Sequence, residues 1–141
     1  MYMEYKFLEH MTDAYIEAYG NTLEEVFSNA AKGLVDTMID IDKIEIKESL
    51  TIECHGYDLE ELLYNWLEEV LLKLSIDRIA LREFKISIRK NKEYYLKAAV
   101  YGEALDIIKH NYKVEIKGVT YHLMEIESKD NKYKVRFLLD L

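Results

Sequence analysis

The run Asp58-Leu59-Glu60-Glu61-Leu62-Leu63-Tyr64-Asn65-Trp66-Leu67-Glu68-Glu69-Val70-Leu71-Leu72-Lys73-Leu74 carries the periodicity of an amphipathic helix. Leu59, Leu62, Leu63, Trp66, Leu67, Val70, Leu71 and Leu74 recur at 3.6-residue spacing, and the opposite face holds Glu60, Glu61, Glu68, Glu69 and Lys73. Asp58 with Glu61 three residues on is the pattern of a capped helix start. Upstream, Thr22 and Glu25 repeat that pattern ahead of Leu23, Val26, Phe27, Ala30, Ala31, Leu34, Val35 and Met38. Two helices, each with one apolar face, therefore need a surface to cover.

The rest of the chain supplies it as strands. Tyr5–Leu8 and Ala14–Tyr19 alternate apolar with polar, broken at His10–Asp13 and ended by Gly20. Ile44, Ile46, Leu50 and Ile52 alternate with Lys and Glu between the helices. Beyond residue 80 the helical period is gone. Phe84–Ile88, Tyr94–Val100, Tyr112–Ile116, Val119–Ile126 and Tyr133–Leu139 read as strands, with a turn at Arg89–Lys92 and a last one at Asp130-Asn131. The order predicts an α+β fold of two layers, two amphipathic helices on one face of a mixed, mostly antiparallel β-sheet. No linker, repeat or low-complexity stretch divides residues 1–141, which read as a single domain.

Composition narrows the function. Half of the 141 residues are hydrophobic and a third charged, a globular balance, and no apolar run reaches a membrane span. The start lacks a signal-peptide pattern, and the one cysteine, Cys54, excludes an internal disulfide framework or a Cys-based zinc site. A cytoplasmic location is the expectation, with no membrane partner. Net charge is −8, and Lys85, Arg89, Lys90, Lys92 and Lys97 read as spread singly rather than gathered with aromatics. That balance favours a protein or metal partner over direct nucleic-acid contact.

Acids at the strand ends are the chemical lead. Asp140 falls at the tip of the last strand beside Leu141, and Asp13 lies in the break between the first two. If those strands are neighbours, Asp13, Asp140 and the terminal carboxylate of Leu141 converge on one cation, a hard oxygen site for Ca²⁺ or Mg²⁺ rather than zinc. Asp13 as a turn cap, His10 as a surface histidine and Asp140 as a solvated acid fit the same residues. His122, in a strand, reads as a structural histidine or an added site residue; His110 reads as ordering its loop. Cys54 reads as a small packing residue. There is no Gly-rich phosphate loop, G-x-S-x-G, H-E-x-x-H or CxxC, so no enzyme machinery is legible.

These residues stand in five ordered blocks, and with them the chain resembles the archease family over nearly its whole length. The blocks are Glu9-His10-Met11-Thr12-Asp13 with Ile16 and Ala18-Tyr19-Gly20; Tyr57–Leu63 with Asn65–Glu69; Gly102-Glu103 with Asp106 and His110; Glu115–His122; and Leu139-Asp140-Leu141. Two positions depart: the family usually reads H-T-A-D at His10–Asp13, and an alanine is common where Gly118 stands. The resemblance implies a non-catalytic activator of the RtcB-type tRNA-splicing RNA ligase, promoting its GTP-dependent guanylylation and multiple turnover, with tRNA met only through the ligase. It implies a divalent-cation site, Ca²⁺ first and Mg²⁺ or Mn²⁺ as alternatives, at Asp13, Asp140 and Leu141, with His10 and His122 as additional candidates. The alternative it implies is chaperone-like binding of a tRNA-modifying enzyme such as a tRNA cytosine methyltransferase.

Overall fold

A computed structural model describes residues 3–9 and 12–141. Among them are seven strands and two α-helices: β1 (Tyr5–Leu8), β2 (Asp13–Gly20), α1 (Leu23–Met38), β3 (Glu48–Gly56), α2 (Leu59–Ser75), β4 (Ile79–Asn91), β5 (Glu93–Ala104), β6 (Gly118–Lys129) and β7 (Lys132–Asp140). The class is α+β, as the periodicities predict. The strands form two sheets rather than one mixed sheet, in the orders β1-β2-β7-β6 and β3-β5-β4. Each strand pairing is antiparallel. The helices hold the two sheets together: α1 packs on β2, β7 and β4, and α2 on β3, β4, β5 and β6. The indole N–H of the fully buried Trp66 in α2 donates to the carbonyl of Phe27 in α1 at 2.9 Å, satisfying the one polar atom that side chain brings into the core.

A repeat that the sequence hides is visible in three dimensions. The segments β2–α1 and β3–α2 use the same strand-to-helix device. Thr22 accepts from the Glu25 amide at 3.0 Å, and Asp58 accepts from the Glu61 amide at 2.8 Å. Gly20 and Gly56 precede these caps. A Cβ on Gly20 would stand 2.4 Å from the Val26 nitrogen, and one on Gly56 2.5 Å from that of Leu62, so both crossings are closed to larger residues. At this offset of 36 residues the identities are Ile16/Ile52, Glu17/Glu53, Gly20/Gly56, Leu-Glu-Glu after each cap and Asn29/Asn65, too scattered to read as a repeat by eye.

Three strand expectations change. Ile44 and Ile46 precede β3, which begins at Glu48; residues 44–47 run irregularly after a short 3-10 turn at Ile41–Lys43, and the buried Ile44 there imitates strand alternation. Tyr112–Ile116 is no strand; the segment runs irregularly from β5 to β6, tied by the Lys113 amide to the Met38 carbonyl at 2.8 Å. Its alternation arises because Ile116 is buried while its neighbours face water. In β6 the strict alternation also fails, since the register jumps from Thr120↔Leu138 to Glu125↔Arg136. Residues 121–124 therefore bulge, with Leu123 at φ 61°. The bulge lets Tyr121 stack on Tyr64 of α2, ring centroids 4.2 Å apart. The last hairpin turn is as predicted, Asp130 and Asn131 both at positive φ.

Candidate functional site

Asp13 opens β2 and Asp140 closes β7, and the antiparallel register sets them directly opposite each other. Their neighbours explain why. Ala14, Ile16 and Ala18 must meet Leu139, Phe137 and Val135 on the core face, and a side-chain period of two leaves no other register for the acids. Asp13 is half-buried and Asp140 exposed. On the other side of Asp140 stands Gly118, and the Lys117 amide donates to the Asp140 carbonyl at 2.7 Å, fixing the strand end. A Cβ at Gly118 would meet nothing within 4 Å, so the departure from alanine leaves the site's surroundings unchanged.

Like charges directly opposite across a strand pair destabilise it. Two carboxylates beside main-chain oxygens at a strand end are hard donors that fit Ca²⁺ or Mg²⁺ and not a thiophilic metal. A divalent ion here would take Asp13 and Asp140, paired across the strands, and a main-chain oxygen of the half-buried Leu141. Among the described residues no group of three or more His, Cys, Asp or Glu is gathered for a metal, so the remaining ligands would be backbone oxygens and water. His10 lies outside the described residues. His122 sits exposed in the bulge, its amide donating to Thr120 Oγ1 at 3.1 Å, and does not complete a cluster with the acids.

A second polar cluster joins Glu103, Asp106 and His110, one of the blocks read from the sequence. Glu103, on β5, is 5% exposed and His110 fully buried. The Asp106 amide donates to His110 Nδ1 at 3.0 Å, so Nε2 carries the hydrogen that it gives to Glu103 Oε2 at 2.9 Å. Glu103 also accepts from the Glu45 amide at 2.8 Å and from Lys109 at 3.0 Å. The backbone donor, then His110 and Lys109, hold its carboxyl well below the usual range. Asp106 caps the turn by accepting from the Ile108 and Lys109 amides, and the His110 carbonyl takes the Asp40 amide at 2.8 Å. This network orders the irregular 105–117 segment, the role its histidine suggests. The signal was the close spacing of Glu103, Asp106 and His110, but nothing local says that Glu103 is buried.

The open face of the first sheet carries a third network. Glu17, 4% exposed, is bonded by Tyr19 and by its cross-strand partner Arg136. Burial alone would raise the Glu17 carboxyl, but these donors outweigh it and hold it low, while burial and Glu17 push the Tyr19 hydroxyl up to about 12. Cys54 is half-buried and burial, with Glu69 nearby, pushes its thiol up to about 12, the state of an unreactive packing residue.

Two helices packed on two antiparallel sheets, with an acidic strand end on one of them, make an antiparallel α+β protein. Residues 5–141 match the model of the Archease protein family (MTH1598/TM1083), and the chain belongs to that family. It is 43% identical over 135 residues to protein archease of Pyrococcus abyssi, covering 94% of this chain and 95% of the relative. To protein archease of Pyrobaculum islandicum it is 37% identical, covering 99% and 96%. The solution structure of Methanobacterium thermoautotrophicum protein 1598 superposes with a TM-score of 0.81 at 34% identity, over 97% of this chain and 98% of that one. A crystal structure from Thermotoga maritima, described as an archease and possible chaperone, shares the fold at TM-score 0.60 and 22% identity, over 100% and 99%. No helix among the described residues is long and apolar enough to cross a membrane.

Proposed function

We propose that this chain is a non-catalytic activator of an RtcB-type RNA ligase, working through the acidic edge at Asp13 and Asp140. The direct opposition of these two acids is the observation that carries the reading. Packing forces both carboxylates onto one strand end, and a divalent cation, Ca²⁺ before Mg²⁺ or Mn²⁺, would offset their repulsion and supply a positive charge at an exposed rim. Asp13 and Asp140 hold that ion, Leu141 adds a main-chain oxygen, and the Lys117–Asp140 backbone bond keeps the edge in place. The edge docks beside the ligase's metal and guanylate pocket and eases guanylylation and turnover there. RNA reaches this edge through the ligase, in the cytoplasm.

The test is ligase guanylylation and multiple-turnover RNA joining with wild type, Asp13→Ala or Asp140→Ala, each checked for folding. Acceleration by wild type alone supports the reading. Folded variants that accelerate as well as wild type overturn it.

A second reading rests on exposed apolar side chains. Tyr57, Ile76 and Ile108 are 76%, 71% and 88% exposed. These side chains stand singly, Tyr57 and Ile76 at opposite ends of α2, and would serve as separate contacts in chaperone-like binding to a tRNA-modifying enzyme, for instance a tRNA cytosine methyltransferase. A stable one-to-one complex with such an enzyme and no effect on ligase turnover would favour it.

A further inference from the structure

The face of the second sheet turned away from the helices gathers cations and rings that are scattered in sequence. Between Phe84 and Ala98 the chain has five cations and one acid, Glu93, within a protein of net charge −8. Strand pairing then sorts them. His55, Tyr95 and Arg89 form one cross-strand row, Glu53, Lys97 and Ser87 the next, and Lys85 follows opposite Ala99, with Tyr101 one row beyond. Each is exposed or partly so, while Leu96, Ala98 and Val100 turn into the core. The sheet thus undoes the impression that these basic residues stand apart from aromatics.

The arrangement is also organised. The Arg89 guanidinium lies 5.6 Å from the Tyr95 ring centre and the Lys85 ammonium 5.3 Å from that of Tyr101. Among the described residues neither Lys85 nor Arg89 enters an ion pair, so their charge is uncommitted. Three acids share this face, Glu53, Glu93 and the exposed Glu83 opposite Tyr101. Glu53 is 4.0 Å from Lys97 with both side chains about 70% exposed, and Glu93 is engaged by His55 at 3.0 Å. An open depression of about 510 Å³ lies among His55, Arg89, Tyr95 and Lys97.

We propose that this face binds single-stranded nucleic acid, with Lys85, Arg89 and Lys97 on phosphates and Tyr95 stacking a base. Cations alone would serve an acidic peptide equally. Rings alternating with them across an uncovered sheet favour a strand that offers phosphates and π-faces together. The surface is separate from the Asp13–Asp140 edge and goes beyond the ligase reading: the protein makes its own contact with RNA.

The test is fluorescence anisotropy with a labelled mixed-sequence oligoribonucleotide of about 12 nucleotides, at low salt and across a salt series. Three phosphate contacts predict a slope of log K against log salt of about −2. The triple variant Lys85→Glu/Arg89→Glu/Lys97→Glu should lose binding by at least about tenfold, and Tyr95→Ala should weaken it by about tenfold. Asp13→Ala, which reads the ligase proposal, should bind RNA as wild type does. Far-UV circular dichroism and Tm establish folding; if the triple variant does not fold, Tyr95→Ala and the salt slope decide. Absence of binding at low salt, a flat salt dependence, or folded variants that bind like wild type would overturn the proposal. So would equal affinity for a polyglutamate peptide, or for duplex RNA of the same length.

Discussion

Asn29 of α1 and Asn65 of α2 do the same work at the same place in the two strand-to-helix units. Each donates its side-chain amide to the carbonyl of the strand residue ten positions earlier, Tyr19 at 2.7 Å and His55 at 2.8 Å. Each bond clamps a helix onto the strand that leads into it. The two differ in burial, since Asn29 is 2% exposed while Asn65 is not buried.

That difference predicts unequal costs. Asn29→Ala leaves a buried group without its partner and should cost about 1–3 kcal/mol. Asn65→Ala lets water replace the lost bond and should cost about 0.5–1 kcal/mol. Urea denaturation of the two variants checks the order; equal costs would show that the clamps are equivalent despite their burial.

Calcium should stabilise the wild type through the acidic edge. At a hundredfold excess over Kd the gain is about 2.7 kcal/mol, seen as a rise of several degrees in Tm. Asp140→Asn removes a ligand and the charge repulsion together. In chelator its Tm should match or exceed that of wild type, and added Ca²⁺ should not raise it. A calcium-dependent rise that survives in Asp140→Asn would place the ion elsewhere.

Glu103 predicts an acid-side instability. Its carboxyl is held low in the folded protein, so the stability it contributes is complete above the unfolded value of about 4.3 and falls away as pH drops toward the folded value. Tm between about pH 5 and pH 3 should therefore fall less steeply in Glu103→Gln than in wild type. The variant should be less stable at neutral pH, because His110 loses its carboxylate partner and Lys109 keeps only the exposed Glu45. Parallel Tm profiles would show that Glu103 does not carry the linkage.

Cys54 should resist modification. With its thiol pushed up to about 12 by burial, little thiolate exists at pH 8. A disulfide exchange reagent should react slowly with the folded protein and at an ordinary rate in denaturant. Fast reaction in the folded state would mean that β3 opens locally.

Both helices and their caps were legible in the chain, because helical period and capping are properties of residues within a few positions of one another. Alternation revealed most strands for the same reason. It misread Ile44 and Ile46, which precede β3, Tyr112–Ile116, where the buried Ile116 alone imitates a strand, and β6, where a bulge breaks the period to seat Tyr121 on Tyr64. Asp13 and Asp140 could be named as acids at strand ends, but their opposition is a matter of register. Register is decided by which apolar side chains must share the core. The same holds for the division into two sheets, the burial of Glu103 against His110, and the joining of Lys85, Arg89 and Lys97 with Tyr95 on one face. Each depends on contacts between segments distant along the chain, and a local period describes one segment at a time; only the folded packing chooses which of them meet.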